Sequence, residues 1–310
     1  MRVSGMPEDP LLASHALSDL RRRARELIRR LDHCDLCPFQ CGVNRAGGER
    51  GRCGAGYLPR VASVNLHHGE EPPVSGHRGS GTIFFSNCSL SCCFCQNYPI
   101  SQLGHGRETS VEELAGSMLE LQARGAHNIN LVTATHFAPQ WAQALVLARG
   151  RGLRVPLVYN TGGFERVEIL AMLEGMVDVY LPDMKYADDR HARALSGAPG
   201  YVDANRAAVR EMHRQVGRLR VDSSGVAARG LIVRHLVLPG GVSGTREVLE
   251  FLAGLSPRVH VSLMGQYFPA HRAPEFPGLN RKLHRREYAD AVAHLDRLNL
   301  RDGWLQSIEG

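Results

Sequence analysis

The chain has no uninterrupted apolar run near the roughly 18 residues that a membrane helix requires, so no membrane span is expected. Its start carries no apolar stretch of the kind found in export signals. The acids Glu8, Asp9, Asp19, Glu26 and Asp32 are ones that an organelle transit peptide lacks. A cytoplasmic location is the expectation. Lysine is nearly missing: the only two are Lys185 and Lys282, and the other basic residues are arginines. No internal repeat and no low-complexity tract is present. With 43% hydrophobic and 22% charged residues, the composition excludes a largely disordered chain. The net charge of +6 hints at an anionic partner. The charge is spread along the sequence, apart from Arg21, Arg22, Arg23, Arg25, Arg29 and Arg30. These alternate with Leu20, Leu27, Ile28 and Leu31, the pattern of a solvated face on an amphipathic helix. Nucleic acid is therefore not the favoured partner, although a non-catalytic metal-cluster protein binding nucleic acid through this helix is the alternative of another class.

No cysteine follows Cys95, and the eight present fall in two groups. Disulfide scaffolds belong to short secreted chains, and this chain is neither. Tight cysteine groups in such a protein point to metal. Cys88, Cys92 and Cys95 are spaced C-x3-C-x2-C, which lets one loop wrap a corner of an iron–sulfur cluster. A 4Fe–4S cube takes four ligands, so three thiolates leave one iron open to chemistry. Cys93 lies between two ligands and reads as a bystander. The other group, Cys34, Cys37, Cys41 and Cys53, supplies four thiolates and a complete shell. Structural zinc and a second 4Fe–4S cluster both suit it. His67, His68 and His77 are further possible ligands, and Glu70 and Glu71 are either substrate-facing or surface acids.

Residues 1–31 read as an amphipathic N-terminal helical segment, with the helix over 11–31. Residues 32–80 read as a small, Cys-rich, loop-rich extension, and 81–310 as the core. Strands are expected at 82–86, 129–134, 154–160, 177–183, 231–238 and 258–264, with helices between them and a last helix at 286–298. Ser110 and Glu113 form a capping box ahead of Leu114, Met118 and Leu121. This alternation implies an α/β fold with a parallel sheet. The Cys88 loop then leaves the C-terminal end of the strand Thr82-Ile83-Phe84-Phe85-Ser86, where α/β proteins gather their functional residues. Asp183 and Lys185 are two apart at another strand end, so they face the same way. Lys185 is a compact point charge suited to a carboxylate.

The Cys88–Cys95 motif, with Phe94 before its last cysteine and a strand before it, resembles the radical S-adenosylmethionine (SAM) superfamily. That resemblance implies a partial (β/α)6 barrel and a 4Fe–4S cluster on Cys88, Cys92 and Cys95. It implies that the open iron holds the methionine moiety of SAM. One electron then cleaves SAM to methionine and a 5′-deoxyadenosyl radical, which abstracts hydrogen from substrate. Phe94 would sit against the adenine. The Gly-Gly-Glu stretch that many relatives carry after the second strand is absent here, leaving Thr133, Thr135 and His136 as candidates for its contact. Asn160-Thr161-Gly162 and Asp183-Met184-Lys185 resemble the strand ends of pyruvate formate-lyase activating enzymes, where they bind a cation and the SAM carboxylate, with Asn160 standing in place of an aspartate. Arg234 in Arg234-His235-Leu236-Val237-Leu238-Pro239-Gly240 matches an arginine strand of the same enzymes and would contact SAM. The match runs from about residue 34 to 300. It implies a glycyl-radical-type protein as substrate and a flavodoxin or ferredoxin as electron donor. Radical modification of another protein residue or of a small molecule is the alternative within the class.

Overall fold

The computed structural model describes residues 10–308. Residues 1–9, the start of the expected N-terminal segment, lie outside the described residues. The strands are β1 (Arg60–His67), β2 (Ser80–Phe85), β3 (Arg107–Glu108), β4 (Ile129–Val132), β5 (Leu157–Thr161), β6 (Val179–Pro182), β7 (Arg220–Val221), β8 (Ala227–Leu236), β9 (His260–Met264) and β10 (Gly303–Gln306). Their order in the sheet is β10-β9-β8-β6-β5-β4-β2-β1-β3, with β7 beside β8. From β2 to β10 every pairing along this path is parallel. Helices cross between successive strands, including Val111–Ala123, Ala138–Gly150, Tyr201–Val216 and Thr245–Leu255. The result is the open, parallel α/β architecture of a partial barrel.

Four strands beyond those expected enlarge it, β1, β3, β7 and β10. The six expected strands all form, and Gly303–Gln306 adds a seventh parallel strand beside β9. Within the stretch expected to be loop-rich, Arg60–His67 forms β1 and runs antiparallel to β2. Its first residues pair with the last of β2, Val61 opposite Phe85. The chain before β1 and the chain after β2 therefore emerge at the same end of the sheet.

The helix Pro10–Arg29 docks rather than projecting. Ala24 and Leu27 are buried, as is Leu31 just beyond the helix. Arg22 pairs with Asp19 and Glu26, and Arg23 caps the carbonyls of Met172 and Glu174. Two of its arginines are thus committed to acids and carbonyls of this chain. Ser110 and Glu113 form the expected capping box. Among the described residues no helix is long and apolar enough to cross a membrane.

Candidate active site

The loop after β2 carries Cys88, Cys92 and Cys95 to the C-terminal rim of the parallel strands. It opens at Asn87, whose φ of +69° puts a tight reversal before the first cysteine. It is then pinned to the end of the helix Asp189–Ser196: Ser91 N–H donates to Ser196 O (2.9 Å) and Cys93 N–H to Leu195 O (2.7 Å). Each of the three spaced thiols meets one hydrogen-bonding group. Leu90 N–H reaches Cys88 Sγ at 3.4 Å, Ser196 Oγ donates to Cys92 Sγ at 3.0 Å, and Ser101 Oγ lies 3.1 Å from Cys95 Sγ. Burial pushes the Cys88 and Cys92 thiols up, with Lys185 opposing this at Cys92. Such sites favour thiolate only when a cation or metal shares them. Cys93 is buried in the core, and burial pushes its thiol up to about 12.

A cavity of about 220 Å³ opens beside the loop, lined by Cys92, Phe94, Cys95, Asp183, Lys185 and Arg234 among others. Phe94 stands edge-to-face with Tyr267, centroids 6.0 Å apart. Asp183 bridges two cations: Lys185 Nζ donates to its Oδ2 at 2.5 Å and Arg234 Nε to its Oδ1 at 2.8 Å. Burial alone would raise the Asp183 carboxyl, but Arg234 and Lys185 outweigh it and hold the group ionised. Burial likewise works against the Lys185 charge, and the Asp183 carboxylate overcomes it. Arg234 Nη2 also donates to Asn160 Oδ1 (2.6 Å). The rim thus sets two cations and the Asp183 carboxylate next to three thiols.

Glu71 is buried and the Glu70 side chain is only 8% exposed, which removes the surface-acid reading. Glu70 enters from the β1–β2 connection, at the opposite end of the strands, and reaches within 3.4 Å of Asn160 Nδ2 and 3.7 Å of Arg234 Nη1. Burial raises its carboxyl to about 7, Arg234 pulling the other way.

Thr135 and Thr161 are brought together at the ends of β4 and β5, 3.3 Å apart. Both donate to Glu165 Oε1, Thr135 at 2.5 Å, and Tyr159 OH lies 3.3 Å from Glu165 Oε2. Sequence reasoning missed Glu165; the acid two residues after Gly162-Gly163 was its only signal. Thr133, a β-branched residue, sits at φ +59° on this rim, a conformation that costs energy and collects at functional sites. His136 lies against a second cavity. Its Nε2 bonds Ser86 O (2.9 Å), burial depresses its ring to about 3, and it lines the four-cysteine cavity rather than the one above.

Tyr201 and Asn205, also missed, staple β5 to β6. Tyr201 OH donates to Gly162 O (2.9 Å), and Asn205 Nδ2 to Gly163 O (3.0 Å) and Asp183 O (2.9 Å). Gly163 is obligatory here: at φ +74° a Cβ would stand 2.2 Å from Asp183 O.

The first cysteine group also gathers. Cys34, Cys37, Cys41 and Cys53 line one enclosed cavity with Arg45, Arg52 and His136. The loop closes on itself through Cys34 N–H to Val43 O (2.9 Å) and Gly42 N–H to Cys34 O (2.9 Å). Burial pushes the Cys37 thiol up to about 12.

The sequence profile of the Radical SAM superfamily matches residues 82–223, the stretch from β2 to β7. Over those residues the chain is similar to the radical SAM superfamily. Its fold is similar to that of HydG, a maturase of the FeFe-hydrogenase, at a TM-score of 0.51 and 12% identity, over 96% of this chain and 66% of that one. A radical SAM methyltransferase from Sphaerobacter thermophilus aligns at a TM-score of 0.48 and 16% identity, over 74% of this chain and 68% of that one. An uncharacterised protein of Methanocaldococcus jannaschii is 29% identical over 276 residues, covering 86% of this chain and 75% of its own length. A radical SAM domain implies a 4Fe–4S cluster and SAM. The residues present fit both: three spaced thiols, each with a hydrogen-bonding group, flank a cavity whose rim offers cations to a carboxylate and a carboxylate to an amine.

Proposed function

We propose that this protein is a SAM-cleaving radical enzyme acting on a backbone glycine of a partner protein. The observation that carries the catalytic part is the joining of the Cys88–Cys95 loop to the Lys185–Asp183–Arg234 ion network around one cavity. Cys88, Cys92 and Cys95 would hold the cluster. When bound, the cluster supplies the one electron that breaks the SAM sulfonium bond to give methionine and a 5′-deoxyadenosyl radical. The protein's own part is to orient and to exclude. Lys185 and Arg234 offer charge-assisted donors to the methionine carboxylate, and Asp183 keeps both cations fixed and faces an incoming ammonium group. Thr135 and Thr161, locked by Glu165, shape the adjoining rim. Phe94 and Tyr267 wall the cavity with aromatic surface.

The glycine substrate is supported by the likeness of Asn160-Thr161 and Asp183-Met184-Lys185 to activase strand ends. A one-electron donor of the flavodoxin or ferredoxin class and a cytoplasmic setting, which protects an open iron, complete the reading. The test is anaerobic reconstitution, dithionite reduction and chromatographic assay of 5′-deoxyadenosine, with Cys92→Ala alongside. Product in wild type and none in the variant is expected. An intact cluster that binds SAM and yields no product with dithionite or a protein reductant would overturn the catalytic reading. A glycyl doublet in the electron paramagnetic resonance (EPR) spectrum of a partner protein is expected. Its absence across glycyl-radical proteins tested would overturn the substrate.

A further inference from the structure

We infer that Cys34, Cys37, Cys41 and Cys53 hold a second iron–sulfur cluster that feeds electrons to the three-cysteine centre. The relay role rests on the catalytic reading above; the metal site itself does not.

Three observations carry it. The first is ligand spacing. Cys34, Cys37 and Cys41 lie within eight residues and Cys53 is remote. Zinc sites are commonly built from two short pairs, whereas three-plus-one suits the wider corners of a 4Fe–4S cube. The second is charge. Arg45 is 1% exposed, and its guanidinium bonds only neutral oxygens: Gly56 O at 2.6 and 3.0 Å and His136 O at 2.6 Å. Its Nη1 also reaches Cys34 Sγ at 4.0 Å. A guanidinium buried without a carboxylate is costly. Four metal-bound thiolates beside it supply the missing negative charge, which four protonated thiols would not. Arg52 adds a second cation at the cavity wall.

The third is position. The thiol group has an exposed edge at Cys41 and an inner side at Cys34 and Cys37. It is tied to the surroundings of the three-cysteine loop by two indirect links and one close approach. Arg52 Nη2 donates to Gly197 O (2.9 Å), next to the Ser196 that donates to Cys92 Sγ. Arg45 donates to His136 O, and His136 Nε2 bonds Ser86 O, two residues before Cys88. A Cβ on Gly54 would stand 3.0 Å from Asn87 Nδ2. Gly54 and Asn87 each adjoin a ligand, so chain geometry keeps the Cα atoms of Cys53 and Cys88 within about 16 Å. An electron tunnels across such a gap through protein. The balance is one electron: a flavodoxin- or ferredoxin-class carrier is oxidised by one, the three-cysteine centre is reduced by one, and the relay returns to its starting state.

The test uses the full chain, reconstituted without oxygen. In a Cys88→Ala/Cys92→Ala/Cys95→Ala variant, about four irons and four sulfides per chain should remain. Reduction should give an EPR signal that SAM does not change. One zinc per chain, or no metal, overturns the cluster. This readout is independent of catalysis: a retained cluster with a SAM-inactive wild type would sink the catalytic reading alone. For the relay, Arg45→Met keeps the thiols and should keep eight irons. It should shift the second cluster to a more negative potential and slow carrier-driven reduction of the three-cysteine centre at least tenfold. Reduction by dithionite should proceed as in wild type. Unchanged carrier-driven reduction, in this variant and in Cys37→Ala/Cys53→Ala, overturns the relay.

Discussion

Glu165→Gln should flatten the alkaline side of the stability profile. The carboxyl is buried, and that burial raises it from the ordinary 4.5 to about 7, against the pull of hydrogen bonds from Thr135, Thr161 and Tyr159. A folded-state value above the unfolded one means that the folded protein holds the extra proton between the two. The contribution of Glu165 to stability is therefore fully present below about pH 4.5 and is lost as pH rises through about 7. Between pH 5.5 and 8.5 the loss amounts to about 2 kcal/mol. At the usual size scaling, that is a fall in Tm of about 3 °C. Glutamine keeps the geometry: its carbonyl oxygen accepts from Thr135 and Thr161, and its amide donates toward the Tyr159 oxygen. It does not ionise.

The assay is thermal unfolding of the anaerobic holoprotein at both pH values and one scan rate, wild type against variant. Other titrating groups cancel in that comparison. His235, for example, is held neutral and depressed to about 4 by burial in both proteins. Wild type should lose about 3 °C more than the variant on going to pH 8.5. Parallel profiles would show that Glu165 is not carrying a proton at pH 6, and would refute the burial argument.

Ser196→Ala deletes the hydroxyl that donates to Cys92 Sγ at 3.0 Å; the catalytic cluster's potential should move negative in an EPR-monitored titration, because an unbonded thiolate donates more strongly to iron. Lys185→Met removes a charged donor worth about 1.5–3 kcal/mol, so Kd for SAM by equilibrium dialysis should rise about tenfold or more, and an unchanged Kd would take Lys185 out of the binding role. Gly163→Ala forces a Cβ to 2.2 Å from Asp183 O at φ +74° and should cost about 3 kcal/mol, read as a lowered Tm together with weakened SAM binding.

What could be read from the sequence was local. The Cys88 loop declares itself because its three spaced cysteines and the strand before them lie within sixteen residues. Asp183 and Lys185 were legible because an extended chain puts alternate residues on one side. The missed residues act across chain distance. Glu165 matters through Thr135, thirty positions away, and Ser196 through Cys92, more than a hundred away. Periodicity carries no trace of either. β10 is four residues, Gly303–Gln306, and one of them is the polar Gln306, so no hydrophobic pattern marks it. The direction His136 takes was not legible, because a strand-end histidine looks alike whether it faces the cavity or, as here, bonds the backbone of the neighbouring strand.

The position of the first thiol group follows from the one element that composition hid. Residues 32–80 looked too rich in glycine, histidine and cysteine to join the core, yet Arg60–His67 supplies alternating residues to β2 and is a strand of the sheet. Once that pairing is antiparallel, with Val61 opposite Phe85, the segment entering β1 and the segment leaving β2 must share one end of the sheet. The first carries Cys53, the second Cys88. Thirty-five residues of separation collapse into a contact between Gly54 and Asn87. Had β1 run parallel to β2, Cys53 would sit at the opposite end of the strands, far from Cys88. The antiparallel pairing that makes β1 a strand, with its shift of register between Val61 and Ser63, is what places one cysteine loop against the other.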